Sequence, residues 1–497
     1  MDFESNYEIA RTAEFIRGGN FSKVALQFPD ELLKDSVRVV SALKDKLRCQ
    51  RESTTERNDD VKDVSLFVMA DTAYGSCCVD EVGASHVGAH CVVHYGHACL
   101  SPTTKLPAYF VFGKAPMSVL DCIKDLTDHA MTIGKPVLVL FGLEYAHLVH
   151  NIKERVAEAC GTRSQLEIQF AEILCSCMNP SENRNISNRG MVPANVSTND
   201  KSFGIVAGNR YAVGGLLWEL PEGRKMEDYL LFWIGSDNSA FANVVLTYNS
   251  CEIVRYDAAA NCMVRDLSQQ KRILKRRYYL VEKAKDANIV GILVGTLGVA
   301  GYLHMINQMK ELIAAAGKKA YTLVMGRPNP AKLANFPECD VFIYVSCAQT
   351  ALLDSKEYLA PVITPFEATL AFNRGQWTGA YVMEFQDLIN SSLMESQRHS
   401  KEARFSFLQG GYVEDFDVQE NNDEDQEGSL ALANLTEKAL QLRDNPKSLA
   451  KRMVKSGAEF LATRSYQGLE IHNDNEFPEP YLIGRSGRAA GYQGEKI

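Results

Sequence analysis

Cys91-Val92-Val93-His94-Tyr95-Gly96-His97-Ala98-Cys99 is a short apolar run that enters a glycine-containing loop and stops at a cysteine. Far downstream, Val341-Phe342-Ile343-Tyr344-Val345-Ser346-Cys347 has the same form. Between them, Leu230-Leu231-Phe232-Trp233-Ile234-Gly235-Ser236-Asp237 has it without the cysteine. Continuous apolar runs of this length, bounded by turn residues and separated by helix-like segments, are what parallel strands buried on both faces look like.

Working outward, the other runs fall into three groups. The first holds residues 23–28, 64–69, 91–95 and 108–112, with a helix expected over 30–48 and a charged loop near 50–63. The second holds 136–141, 166–170, 203–207 and 228–233, and the third 289–294, 320–324, 341–345 and 360–364. Three groups of similar span and content point to three repeated small α/β units. The expected boundaries are 1–135, 136–260 and 261–412. An acidic linker over 413–428 follows, with eight acidic side chains in 414–427, a composition that favours disorder. Residues 429–497 read as a helical segment and a tail. Residues 178–202, rich in Asn and Ser, read as an insertion loop.

Composition bounds the function. The chain has 497 residues, 46% hydrophobic and 23% charged, which is ordinary globular material for about three domains. A net charge of −9 argues against nucleic-acid binding. The N-terminus, Met1-Asp2-Phe3-Glu4, shows no secretory pattern, and no run of about 18 apolar residues suggests a membrane span. The sequons at Asn185 and Asn195 are therefore read as chance matches. Thirteen cysteines in so long a chain do not form a disulfide framework. A reducing, cytoplasmic setting is expected, with Cys49, Cys122, Cys160, Cys251, Cys262 and Cys339 as small hydrophobes.

Ligands of open α/β sheets bind beyond the C-terminal ends of the strands. Cys77 and Cys78, Cys99, and Cys347 all follow strands in that way. Two readings stand on position alone: inert buried thiols, or ligands gathered from separate loops around zinc or an iron–sulfur cluster. No C-x2-C pair supports a zinc ribbon. His86, His90 and His94 have the spacing of a helical zinc face, but His94 falls in a strand. Cys175 and Cys177 form a C-x-C that could serve the second unit. Gly295-Thr296-Leu297-Gly298-Val299-Ala300-Gly301 lacks the dinucleotide spacing and reads as a strand-to-helix turn, with a phosphate or carboxylate nest as the alternative. Lys271-Arg272-Ile273-Leu274-Lys275-Arg276-Arg277 reads as a solvated helix face or a partner contact.

Three stretches together resemble the diphthamide synthesis protein family, in its eukaryotic subunit 2 form. They are Ala70-Asp71-Thr72-Ala73-Tyr74-Gly75-Ser76-Cys77-Cys78-Val79-Asp80-Glu81 with its continuation to Cys99, then Ser346-Cys347 with Pro361-Val362-Ile363-Thr364-Pro365-Phe366-Glu367, and the tail Gly484-Arg485-Ser486-Gly487-Arg488. The resemblance implies a triplicated α/β fold around one central 4Fe-4S cluster, held here by Cys77, Cys99 and Cys347, with Cys78 able to replace Cys77. It implies a heterodimer with subunit 1 that transfers a 3-amino-3-carboxypropyl group from S-adenosylmethionine to a histidine of elongation factor 2. S-adenosylmethionine would be cleaved at the partner subunit. This chain would keep the catalytic cluster reduced, drawing on an electron-donor protein. Two other roles stay open at this point: the radical-forming subunit itself, or a metal-independent scaffold for subunit 1.

Overall fold

The computed structural model describes residues 2–52, 63–69, 72, 74–160, 167–180, 210–265, 267–353, 357–373, 377, 379, 381–389, 404–406 and 410–413. Contacts divide the chain into a unit over Met1–Glu424 and another over Asp425–Ile497. Residues 425–497, with the tail motif, and the acidic run lie outside the described residues, as does the strand expected over 203–207.

In the first unit, β1 (Lys23–Gln27), β2 (Ser65–Met69), β3 (Cys91–Tyr95) and β4 (Ala108–Val111) form a parallel sheet in the order β2-β1-β3-β4. In the second, β5 (Val137–Phe141) and β6 (Ile168–Phe170) come first. They are followed by β7 (Glu172–Ile173), β8 (Cys177–Met178), β9 (Arg210–Val213) and β10 (Leu216–Glu219). β11 (Leu230–Ile234), β12 (Glu252–Asp257) and β13 (Cys262–Val264) complete the region. Its parallel strands run β6-β5-β11-β12, and β13 adds antiparallel to β12. The third unit has β14 (Ile289–Val294), β15 (Lys319–Val324), β16 (Val341–Val345) and β17 (Val362–Ile363), in the order β15-β14-β16-β17. Each unit therefore threads its four parallel strands as second, first, third, fourth. The chain crosses back over the first strand to make the third, so every unit has its switch point between strands one and three.

Burial explains which strands the sequence announces. The central strands β3, β5, β11, β14 and β16 are buried at every residue. Both faces are covered, and apolar side chains fill them, with His94 of β3 the exception. The edge strand β15 is exposed along most of its length.

The expected strand over 228–233 is present as β11, but it is the third strand of its unit, not the fourth. The fourth is β12, whose Glu252, Arg255 and Asp257 break the apolar run while Ile253, Val254 and Tyr256 fill the core. The short strands β7, β9 and β10 form a separate antiparallel sheet, and β8 joins β4 at the edge of the first sheet. Sequence reading also missed these, since each is too short or too polar to stand out.

The basic run lies in the helix Leu267–Lys285. Lys271, Arg272 and Lys275 are exposed, as expected of a solvated face. Arg277 is not. It is buried, and its Nε and Nη2 donate to the two oxygens of Glu367 at 2.6 and 2.5 Å. Glu367 also accepts from the Thr364 amide at 2.8 Å and from the Tyr381 hydroxyl at 2.9 Å. Thr364-Pro365-Phe366-Glu367 is a capping box with proline at the first helical turn, so one carboxylate both starts the helix Pro365–Phe372 and ties it to the basic helix.

Replacing Arg277 by Met leaves Glu367 buried without its cation and destabilises the protein by ~3–5 kcal/mol. The chemical-denaturation midpoint reads this directly. An unchanged midpoint contradicts the pairing.

Candidate metal centre

The sequence Gly75-Ser76-Cys77-Cys78 leaves β2 as a turn with no regular structure of its own, so its position depends on what its backbone meets. All four carbonyls are taken. The Cys78 amide donates to Gly75 O at 3.0 Å, and the Cys99 amide to Cys77 O at 3.0 Å. The imidazole Nε2 of His94 lies 2.9 Å from Ser76 O, and Gln27 Nε2 donates to Cys78 O at 2.8 Å. Gln27 Oε1 then accepts from the Asp80 amide at 2.9 Å. His94 is fully buried, which pushes its pKa down to about 4, and a neutral ring can donate from Nε2 to that carbonyl.

The three residues that follow Cys78 have separate tasks. Val79 packs in the core. Asp80 caps the helix Glu81–His86, accepting from the Gly83 amide at 2.9 Å. Glu81 is buried 3% exposed and accepts from the Thr104 amide and hydroxyl at 2.8 Å each, and from the amides of Lys105 and Leu106 at 2.6 and 2.7 Å. It thus fastens the Cys77 segment to the loop beyond Cys99. Gly298, from the third unit, lies against the Val79 carbonyl so closely that a Cβ there would overlap it. That is what the glycine-rich 295–301 segment does here: it lets the third unit approach the cysteine loop.

Cys347 arrives from the end of β16. Its sulfur stands 3.5 Å from Cys77 Sγ, and Cys99 Sγ stands 3.8 Å from Cys78 Sγ. All four sulfurs lie within 4.8 Å of one another and all four residues are buried. Cys77, Cys78 and Cys347 lie too close to ionise independently. Hydrogen bonding among them, above all between Cys77 and Cys347, holds the Cys347 thiol well below its ordinary range, while hydrogen bonding to Cys347 pushes Cys77 and Cys78 well above it. Such a set shares its protons, and a soft cation would displace them.

The donor set fits a thiophilic centre: sulfur from three separate loops, no carboxylate among the four ligand candidates, and a buried, largely apolar surround. The structure brings Cys77, Cys99 and Cys347 together with Cys78. Cys175 and Cys177 are not part of the group; Cys177 is exposed on β8. His86 ends a helix, His90 is in a turn and His94 is in β3, so they share no helical face. Cys122, Cys251 and Cys339 are buried, and burial pushes their thiols up to about 12, 11 and 12, which keeps them inert. Cys262 is exposed. The side chains of Cys49 and Cys160 lie outside the described residues.

A family model described as a putative diphthamide synthesis protein matches residues 28–382. The chain belongs to the diphthamide synthesis family. Its relatives include proteins named 2-(3-amino-3-carboxypropyl)histidine synthase subunit 2. The one from Gallus gallus is 35% identical over 99% of this chain and 94% of its own, and the one from Danio rerio 34% over 98% and 91%. The protein of that name from Schizosaccharomyces pombe is 33% identical over 99% of this chain and 92% of its own. In fold, the chain is similar to Dph2 from Pyrococcus horikoshii, solved with a 4Fe-4S cluster. That chain is 16% identical, with a TM-score of 0.51 over 76% of this chain and 93% of the other.

Of the supporting residues, Glu81 lay in the family stretch and His94 in the histidine spacing, but neither reading gave the role seen here, and Gln27 carried no motif. Gln27 did leave a sign, as the polar end of an apolar strand. Replacing it by Leu removes both bonds to the cysteine loop, each unsatisfied partner costing ~1–3 kcal/mol if it stays buried. Amide exchange at Asp80 is expected to accelerate while Val24 and Ala25 in β1 keep their protection. Unchanged exchange at Asp80 contradicts the role given to Gln27.

Proposed function

We propose that this chain is the second subunit of the two-subunit synthase that begins diphthamide formation, and that Cys77, Cys99 and Cys347 hold one 4Fe-4S cluster in it. The convergence of buried thiols from the first and third units carries this reading, and the names of the relatives and the cluster of the archaeal neighbour support it. The reaction is transfer of a 3-amino-3-carboxypropyl group from S-adenosylmethionine to a histidine of elongation factor 2, with S-adenosylmethionine bound at the partner subunit. A cytoplasmic location goes with that substrate.

When bound, the cluster supplies a one-electron carrier. The chain's own residues do the rest. Cys77 and Cys99 come from loops locked to each other by the amide bond between them, and Cys347 closes the set from the third unit. The apolar residues around them, Val299, Val345 and Phe366 among them, keep water out. Three ligands are the proposed set, and Cys78 is the fourth thiol at hand. No acid–base pair is needed of this chain, because it passes electrons to the catalytic subunit and takes them from a donor protein.

One observation favours a second reading. A single zinc ion with Zn–S of ~2.3 Å holds tetrahedral sulfurs ~3.8 Å apart, close to the sulfur separations here. Under that reading the site is structural and Cys78 is a full ligand.

Two outcomes test the proposal. Replacing Cys77, Cys99 and Cys347 together by Ser is expected to abolish modification of elongation factor 2 by the folded complex when a protein electron donor supplies the electrons. Dithionite in excess is expected to restore it. Full activity with the protein donor contradicts an electron-transfer role. Separately, Cys77→Ser is expected to lower iron and sulfide content sharply and Cys78→Ser only slightly; the opposite order reassigns the ligand.

A further inference from the structure

Beside Cys347 there are two hydroxyls. Thr350 Oγ1 lies 3.1 Å from Cys347 Sγ, and Ser346 Oγ lies 2.5 Å from Thr350 Oγ1. The segment is wound so that this meeting is built in. The amides of Thr350 and Ala351 donate to the Cys347 carbonyl at 3.1 and 3.0 Å, which folds residue 350 back over residue 347. Ser346 is buried and cannot exchange its partner for water. The Thr350 methyl faces Gly75, where a Cβ would lie 2.7 Å from Thr350 Cγ2 and 3.6 Å from Cys77 Sγ. With the methyl held there, the hydroxyl faces the sulfur.

With the thiol protonated, either atom of each pair can donate. Coordination removes the choice. A sulfur bound to iron has no proton and can only accept, so Thr350 must donate to it, and Ser346 must then donate to Thr350. Loading thus fixes the direction of the whole relay. Among the described hydrogen bonds, Cys77, Cys78 and Cys99 have only sulfur partners at their thiols, so Cys347 alone of the four has a hydroxyl.

We infer that Ser346 and Thr350 are positioning residues that set the reduction potential of the cluster through Cys347. The inference rests on the cluster reading given above. A donated hydrogen bond withdraws electron density from the ligand sulfur and favours the state with one more negative charge, so it raises the potential. No bond to iron is made or broken and no proton leaves the hydroxyls. The couple is the addition of one electron to the oxidised cluster.

The test is a potentiometric titration of the full chain, loaded anaerobically and followed by electron paramagnetic resonance, with iron and sulfide assayed in parallel. Thr350→Val keeps the shape and removes the donor. Its midpoint is expected to move negative by about tenfold in the reduction equilibrium, which is ~59 mV for one electron, at unchanged iron content. Thr350→Ser is expected to restore the wild-type midpoint, which a purely packing role for the side chain would not do. Ser346→Ala is expected to shift the midpoint in the same direction by less. If Thr350→Val fails to load, Ser346→Ala decides. Midpoints equal to wild type in every variant that loads overturn the inference. Absence of iron and sulfide from the wild-type chain overturns the cluster reading instead, and the two failures are distinct.

Discussion

Cys77 Sγ and Cys347 Sγ stand 3.5 Å apart although 270 positions separate them in the chain. Much of the described structure can be understood as what brings these sulfurs together and keeps them dry. Burying a group of thiols with shared protons is costly unless something takes their charge. The fold meets that cost by closing the first unit against the third. Cys77, Cys78 and Cys99 belong by sequence to the first unit, yet they pack in the apolar cluster built by the third. The pinned carbonyls of Gly75 to Cys78, the Glu81 anchor and the bare Cα of Gly298 all serve that closure.

The repeated strand order explains why such a site can exist. Each unit turns back between its first and third strands, and the loop after the third strand carries Cys99 in one unit and Cys347 in another. The second unit ends its third strand in Gly235-Ser236-Asp237 and gives no sulfur to the group. The first unit supplies a further pair instead, from the loop after its second strand. Two units thus hold the thiols, while the second shares a continuous apolar core with the first and supports it from the side.

The sequence made the central strands plain, because burial on both faces leaves apolar residues in β3, β5, β11, β14 and β16, His94 excepted. It hid β12, where Glu252, Arg255 and Asp257 alternate with core residues, and the sheet of β7, β9 and β10, whose strands are too short to show a period. Among the site residues, the cysteines were legible as strand-end thiols. Their use was legible only through the resemblance, since inert cysteines such as Cys122 and Cys339 look the same in a string of letters. Glu81 stood in a recognisable motif, but its partners are backbone amides of residues 104–106, which no side-chain pattern announces. Arg277 looked like its exposed neighbours in a basic run. Only the capping-box glutamate ninety residues on reveals why it is buried.

The central claim is that the thiol group is an iron–sulfur site. Iron, zinc and acid-labile sulfide measured on the anaerobically purified full chain, with its electron paramagnetic resonance spectrum after reduction, test it most directly. The expected result is about four irons and four sulfides per chain and the signal of a reduced 4Fe-4S cluster. Zinc in stoichiometric amount, with neither iron nor sulfide, would contradict it.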